Sequence, residues 1–113
     1  MSDRLDPGQA LQVNESLVSP NGQFSLVLQP DGNLVLYEQA GQPVWASGTD
    51  GREVSTATMQ EDGNLVLYSP TGEPVWASDT YGNEGAYLIL QDDRNLVIYG
   101  ADGTPLWATN TWT

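Results

Sequence analysis

Five residue types recur together three times along the chain: glutamine, aspartate, asparagine, valine and tyrosine, each two positions after the last. The first copy reads Gln29-Pro-Asp-Gly-Asn-Leu-Val-Leu-Tyr37, and the later copies begin at the same spacing, at Gln60 and Gln91. Carboxylate, amide and phenol groups can donate to and accept from the hydroxyls of a sugar, while valine packs on the C–H edge of its ring. Four such hydrogen bonds, at a net ~1 kcal/mol each, would give roughly millimolar affinity. The pattern therefore predicts three weak sugar pockets that act together through avidity.

A purely structural alternative is that these residues build turns and solvated strand faces. Asp-Gly and Asn are common in hairpin turns, and Tyr is common in strands. That alternative does not explain why Gln and Tyr return in all three copies, whereas Glu38, Ser69 and Gly100, directly after the tyrosines, differ. The repetition favours a binding role.

Carboxylates could also support catalysis or metal binding. A glycosidase needs two carboxylates flanking one bond, and Asp is the only acidic residue repeated in the motif, although Glu61 and Asp92 lie beside it in two copies. The chain has no His and no Cys, so it lacks the usual parts of hydrolytic catalysis and thiolate metal sites. The motif also lacks the dense Asp series of a calcium loop. We expect no enzyme activity, no cofactor and no metal. Free sugar released from a mannan would contradict the expected lack of enzyme activity.

The charge of the chain excludes other partners. Fifteen acidic residues against three basic ones give a formal net charge of −12. Such a chain offers no basic surface for nucleic acid or anionic lipid. The first residues lack the apolar core of a signal peptide, and no apolar run reaches the ~18 residues of a membrane span. We expect no nucleic acid partner, no membrane insertion, and a soluble chain that is cytoplasmic, exported by another route or processed.

Each motif must straddle a hairpin. The β-rich runs Phe24–Leu28 and Leu34–Tyr37 flank Pro30-Asp-Gly32, which suits a tight turn. Along the return strand, alternate residues face opposite ways, which places Asn33, Val35 and Tyr37 on one face and directs the leucines between them to the core. In the third copy Arg94 replaces the turn glycine, so that this turn either avoids a positive φ or tolerates some strain.

The tryptophans and the repeat length predict the architecture. Trp45, Trp76 and Trp107 recur in register and are expected to form a shared core stack. One repeat unit is too short to bury a core alone, so the sequence predicts an all-β body of three four-stranded sheets closed around an apolar axis. An open solenoid is the alternative, disfavoured because the chain shows no polar capping unit. Residues 1–9 are expected to be a polar lead-in, and Trp112 to lie outside the repeat.

The motif Q-x-D-x-N-x-V-x-Y, intact three times, resembles the mannose-binding signature of the monocot, or bulb-type, snowdrop-like lectins. The likeness extends to Trp-Ala-Ser47, Trp-Ala-Ser78 and Trp-Ala-Thr109 and covers nearly the whole chain. It implies one lectin domain over residues 1–113 with the β-prism II fold, three four-stranded antiparallel sheets with pseudo-threefold symmetry. Each sheet would bind terminal α-D-mannose without metal, the Asp and Asn holding the 2-hydroxyl, the Gln the 3-hydroxyl and the Tyr the 4-hydroxyl, with the Val on the ring. The implied sugar-binding residues are Gln29, Asp31, Asn33, Val35, Tyr37, Gln60, Asp62, Asn64, Val66, Tyr68, Gln91, Asp93, Asn95, Val97 and Tyr99.

The resemblance also implies a homodimer that exchanges C-terminal strands, with residues 104–113 completing the partner's sheet and Trp112 in that contact. Plant members usually carry a disulfide, and Gly32 stands where a Cys is common in the first motif. The lack of any Cys, and so of that disulfide, favours a bacterial or fungal relative, or a cytoplasmic plant form. An alternative function is a bacteriocin-like or defence module that binds a mannose- or rhamnose-type cell-surface polysaccharide, although no attached killing domain is visible.

Overall fold

The computed structural model describes residues 2–113, in which the regular structure consists of short strands. No helix in that range is long and apolar enough to span a membrane. The two strands expected to flank the first turn, Phe24–Leu28 and Leu34–Tyr37, form with these bounds to within one residue. The twelve strands are β1 (Arg4–Leu5), β2 (Ala10–Gln12), β3 (Ser16–Val18), β4 (Phe24–Leu28), β5 (Leu34–Glu38), β6 (Pro43–Ala46), β7 (Thr56–Met59), β8 (Leu65–Tyr68), β9 (Pro74–Ala77), β10 (Tyr87–Leu90), β11 (Leu96–Tyr99) and β12 (Pro105–Ala108).

The strands form three antiparallel four-stranded sheets, as the repeat predicts. Their orders are β3-β4-β5-β6, β2-β7-β8-β9 and β1-β10-β11-β12. Each repeat therefore contributes three consecutive strands, with its motif spanning the hairpin between the first two. The three sheets share one hydrophobic cluster, which rules out the open solenoid.

The N-terminal segment supplies the fourth strand of every sheet. Leu5, Leu11 and Leu17 follow one another at equal spacing, and each is buried in a different sheet. The expectation of a polar lead-in over residues 1–9 is wrong for the described part, because Arg4–Leu5 pairs with β10; Met1 lies outside the described residues. A strand of two residues is too short to show an alternation of apolar and polar residues in the sequence. It can be recognised only from its pairing with β10 in the structure.

The core lies between the sheets and is built from the inward faces of the repeated strands. Leu34 and Leu36 are fully buried, as predicted, and so are their counterparts in the other repeats. Trp45, Trp76 and Trp107 stack edge to face, with ring centroids 5.7 to 5.9 Å apart. The predicted stack is confirmed, although each indole is only half-buried against the core. Shared packing of three equivalent units around one axis holds the three motifs on three outer faces.

Candidate functional site

The turn of each motif is closed by its own backbone and by the aspartate. In the first copy, the backbone N–H of Gln29 donates to the carbonyl of Asn33 at 2.9 Å, and that of Gly32 donates to the carbonyl of Gln29 at 3.0 Å. Asp31 Oδ1 accepts from the backbone N–H of Asn33 at 2.9 Å. The same Asp–Asn bond recurs in the other copies at 3.0 and 2.9 Å. The Oδ1 atom of each aspartate thus stabilises the turn, whereas its Oδ2 atom takes no part in that hydrogen bond.

The asparagine is held by the loop that follows the third strand of its repeat. Asn33 Oδ1 accepts from Ser47 Oγ at 3.2 Å and from the backbone N–H groups of Gly48 and Thr49 at 3.1 and 3.2 Å. The amide nitrogen of Asn33 has no partner within residues 2–113, so it can donate outward. Equivalent bonds join Asn64 to Ser78 and Thr80, and Asn95 to Thr109 and Thr111.

A buried threonine ties that loop to the turn, and the sequence analysis missed it. Thr49 Oγ1 donates to the carbonyl of Gly32 at 2.6 Å and lies 2.7 Å from Ser47 Oγ. Thr80 and Thr111 make the same bond at 2.6 and 2.7 Å. The available signal was a threonine recurring once in every repeat, two positions after Trp-Ala-Ser or its variant Trp-Ala-Thr. These hydroxyls fix the orientation of the asparagine beside the turn.

The glutamine connects the remaining polar groups. In the first motif the Gln29 amide donates to the Tyr37 hydroxyl. In the second motif Gln60 is oriented with its amide oxygen toward the Tyr68 hydroxyl and its nitrogen donating to Asp62 Oδ1 at 3.1 Å. Gln91 makes the corresponding contacts with Tyr99 and, at 3.1 Å, with Asp93. Each motif therefore orders its glutamine against its tyrosine before any ligand binds, and the second and third also join the aspartate, which lowers the ordering cost of binding.

The valine forms the floor between these polar groups. Val35, Val66 and Val97 are each 3% exposed, although they lie on the outer face of the return strand. Pairing with the next strand shifts register one residue further on, between Leu36 and Tyr37 in the first copy. Such a bulge re-aims the residues beside it. The result is a shallow site with one small apolar spot and a rim of amide, carboxylate and phenol groups.

All five predicted positions of each motif come together in this way, in all three sheets. Within residues 2–113 no group of three or more acidic side chains is placed to hold a metal ion. In the third motif Arg94 has a φ of +77°, so the suggestion that it avoids a positive φ is wrong and the strained alternative holds. Its guanidinium donates from Nε to the carbonyl of Thr111 at 2.8 Å and pairs with Glu38 of the first repeat.

Known proteins resemble this chain in sequence and in structure. No protein-family model matches the sequence. The B-type lectin plumieribetin of Scorpaena plumieri is 45% identical over 49 residues, which are 43% of this chain and 42% of that protein. Monomeric monocot mannose-binding lectins from Gastrodia elata superpose with a TM-score of 0.89 at 44% identity, covering 99% of this chain and 100% of theirs. The mannose-specific agglutinin of snowdrop, Galanthus nivalis, solved with methyl-α-D-mannoside, gives 0.81 at 46% identity, with 99% of each chain covered.

This chain belongs to the bulb-type mannose-binding lectins. The three sheets are those of the β-prism II fold that the resemblance implied. A bulb-type lectin is a carbohydrate-binding protein. Family membership, and not packing, thus indicates that the repeated outer faces belong to a carbohydrate-binding protein.

One similar lectin is described as assembling by domain swapping. The lectin of Mycobacterium smegmatis, described as a domain-swapped dimer, is 50% identical over 94% of this chain and 97% of its own, yet its TM-score is 0.57. In the present lectin β12 pairs with β11 of its own chain, with Ile98 opposite Trp107.

Proposed function

We propose that this lectin binds terminal α-D-mannose at three pockets without a metal ion and without chemical turnover, and that residues 1–113 act as one multivalent domain. The observation that carries the proposal is that every motif places the same four polar residue types around a valine, with its glutamine bonded to its tyrosine. Sugars are recognised by several hydrogen bonds around a small apolar contact, and each pocket offers that combination. The mannose-binding relatives support the sugar.

In each pocket the free groups fit different hydroxyls. The outward amide nitrogen of Asn33 donates, and the carboxylate of Asp31 accepts, so the pair suits one hydroxyl that does both. That hydroxyl is assigned as the axial 2-hydroxyl, which separates mannose from glucose. Gln29 then serves the 3-hydroxyl, Tyr37 the 4-hydroxyl, and Val35 packs on the ring. The same roles are assigned to Gln60, Asp62, Asn64, Val66 and Tyr68, and to Gln91, Asp93, Asn95, Val97 and Tyr99.

The absence of turnover is part of the proposal. Only one carboxylate, that of the Asp, recurs in every motif, since Glu61 and Asp92 lie beside it in two copies only. One of its oxygens already accepts the backbone N–H that shapes the turn. General acid–base cleavage of a glycoside needs a second carboxyl group on the opposite side of the bond. Incubation with a mannan followed by assay of reducing ends should therefore detect no released sugar.

The direct test is calorimetric titration with methyl α-mannoside in the presence of a chelator. We expect a dissociation constant of roughly millimolar, since about four hydrogen bonds of ~1 kcal/mol carry the affinity. Galactose should bind at least about tenfold more weakly, because its axial hydroxyl lies elsewhere on the ring. Silence with mannoside, or equal binding of galactose, would overturn the proposal. Preferential binding of rhamnose would support the polysaccharide-binding alternative instead.

Single substitutions count the working pockets. Asp31→Asn keeps an Oδ1 acceptor for the turn and removes the negative charge, so it weakens sugar binding without removing the turn bond. Asp62→Asn and Asp93→Asn do the same for the other pockets. Each should remove about one third of the binding stoichiometry. Glu73→Gln, at an exposed acidic position in the turn between β8 and β9, is the control and should leave the stoichiometry unchanged.

We also infer a homodimer formed by exchange of C-terminal strands. The support is the domain-swapped Mycobacterium smegmatis relative: at 50% identity its single chain superposes poorly, as an exchanged strand would cause. β12 of one chain could make the same register with β11 of its partner that it makes within one chain here. Light scattering should then give twice the mass of one chain. A monomer, as in the Gastrodia elata lectins, would refute the dimer and leave the sugar proposal intact.

A further inference from the structure

Two large aromatic side chains stand out on the surface. Tyr81 is 68% exposed and Trp112 is 64% exposed. They hold the same position in the second and third repeats, where the first repeat has Asp50. The expectation that Trp112 lies outside the repeat is therefore wrong: it follows Thr111 as Tyr81 follows Thr80. Because an exposed aromatic recurs at the same repeat position in two sheets, we look for one role that both residues could share.

Both aromatics are held beside a pocket by hydrogen bonds on either side. The backbone N–H of Thr80 donates to Asn64 Oδ1 at 3.2 Å, and that of Asn83 donates to the carbonyl of Asp62 at 2.9 Å. Tyr81 lies between these two anchors. In the third repeat the N–H groups of Thr111 and Thr113 bond Asn95 Oδ1 at 3.3 Å and the carbonyl of Asp93 at 2.9 Å, with Trp112 between them. The backbone that carries each aromatic is thus fixed beside the Asp and Asn of its pocket.

We propose that Tyr81 and Trp112 bind a second sugar residue, joined to the mannose in the pocket, by stacking on its ring. The proposal rests on the function proposed above, since the second sugar is located by the first. A pyranose has a C–H face that packs on an aromatic ring while its hydroxyls stay in water. The pocket itself offers little apolar surface, because Val66 and Val97 are 3% exposed. An aromatic at the rim supplies what the pocket lacks.

The loops that carry the aromatics are tied to the motif turns by hydrogen bonds. Thr80, beside Tyr81, is 7% exposed and bonded through both its hydroxyl and its backbone. A backbone that is already held beside the pocket loses little freedom when a sugar covers its side chain, which favours binding. If the C-terminal strands are exchanged in a dimer, the same residues of the partner chain reach the third pocket, and the platform is retained.

The first pocket has no such platform. Asp50 takes the equivalent position and is exposed and charged. The three pockets, identical in their motif residues, are therefore not equivalent: the second and third bind an oligosaccharide, and the first binds a single mannose. Asp50→Tyr should add the missing platform to the first pocket.

The test compares methyl α-mannoside with a mannotriose branched through α1,3 and α1,6 linkages. Each pocket is isolated by the Asp→Asn substitution in the other two. Tyr81→Ala and Trp112→Ala should lower the affinity of their own pocket for the trisaccharide, relative to the monosaccharide, by about fivefold, as expected for losing contact with part of a ring. Tyr81→Phe and Trp112→Phe should keep the ratio. Asp50→Tyr should raise it by about fivefold in the first pocket.

The outcomes separate the two proposals. An unchanged ratio in the Ala variants, or an equal loss for both sugars, overturns the platform, because a structural role would weaken both. No binding of methyl α-mannoside by the unmodified lectin overturns the proposed function instead. Should an Ala variant fail to fold, tryptophan fluorescence of the unmodified lectin still decides: the trisaccharide, unlike the monosaccharide, should shift the emission of exposed Trp112 to the blue. The Trp112→Phe variant should lack that shift, and its persistence would contradict the assignment.

Discussion

The turns of the first and third pockets share one backbone conformation and fill it with different residues. Gly32 has a φ of +92°, and Arg94, at the same position of the motif, has a φ of +77°. A Cβ on Gly32 would lie 1.9 Å from the carbonyl oxygen of Arg52, so no side chain fits there. Arg94 carries a long side chain, which donates to the carbonyl of Thr111 at 2.8 Å and pairs with Glu38.

A glycine in a turn can serve two purposes: it adopts a left-handed backbone, and it leaves room where a Cβ would clash. The left-handed backbone belongs to the motif, because the same Gln–Asn backbone bond, at 2.9 Å, closes every copy. The exclusion of a side chain belongs to the loop that crosses the turn, because only a close backbone carbonyl excludes a Cβ. Left-handed strain in a non-glycine residue costs on the order of 1 kcal/mol or more, and the contacts of Arg94 offset part of it.

The largest expected effect is that of Gly32→Ala. The added methyl would overlap the Arg52 carbonyl, and the residue would also keep its left-handed strain, so the free energy of unfolding should fall by about 3 kcal/mol or more. Urea denaturation measures this. Arg94→Ala, in the turn that already holds a Cβ, is the matched control and should cost much less. Equal losses in the two variants would show that strain, and not the crossing loop, distinguishes the turns.

A smaller effect is expected from the threonine that joins loop to turn. Thr49→Val removes the 2.6 Å bond to the Gly32 carbonyl at a buried site, so it should cost about 1 to 3 kcal/mol of stability. Thr111→Val should cost less, because Thr111 is more exposed and Arg94 also holds its segment. Thermal unfolding of both variants tests the order, with Thr49→Ser retaining the hydroxyl as control. A reversed order would mean that the arginine does not support the third turn.

Arg94→Gly should change stability by no more than about 1 kcal/mol, since relief of backbone strain opposes the lost contacts and the greater freedom of glycine in the unfolded chain. The mannoside affinity of the third pocket should stay within about twofold, because the motif residues keep their bonds. Calorimetry on a lectin with only that pocket active measures it. A loss above tenfold would make Arg94 part of the binding site.

The smallest effect is expected from Glu38→Gln. The pair with Arg94 is partly exposed, and such ion pairs contribute about 0 to 1 kcal/mol. The difference from the unmodified lectin should shrink further in concentrated salt, where charges are screened over about 3 Å. A loss of several kcal/mol would show that this contact between the third and first repeats helps to close the prism.

Much of the fold and of the candidate site followed from local pattern. The alternation of Leu34 and Leu36 with Asn33, Val35 and Tyr37 predicted which face is buried, because side chains of a strand point alternately to its two sides. The hairpins, the tryptophan stack and the three sheets followed from turn residues and from the regular spacing of the repeats. The five motif residues of each pocket lie close together in the chain, so a single hairpin is enough to bring them together.

Other features depend on segments far apart in the chain, and local pattern does not reveal them. Strand β1, at the start of the chain, exists because β10, in the last repeat, offers it an edge. Thr49 and its counterparts became site residues only when the loop folded back on the turn. Tertiary structure also decides the difference between Gly32 and Arg94, because the Arg52 carbonyl lies against the first turn. It likewise decides the position of Trp112, because the backbone of Thr113 bonds to that of Asp93. Residue type and periodicity determine local faces and turns, whereas packing between distant segments determines what lies next to them.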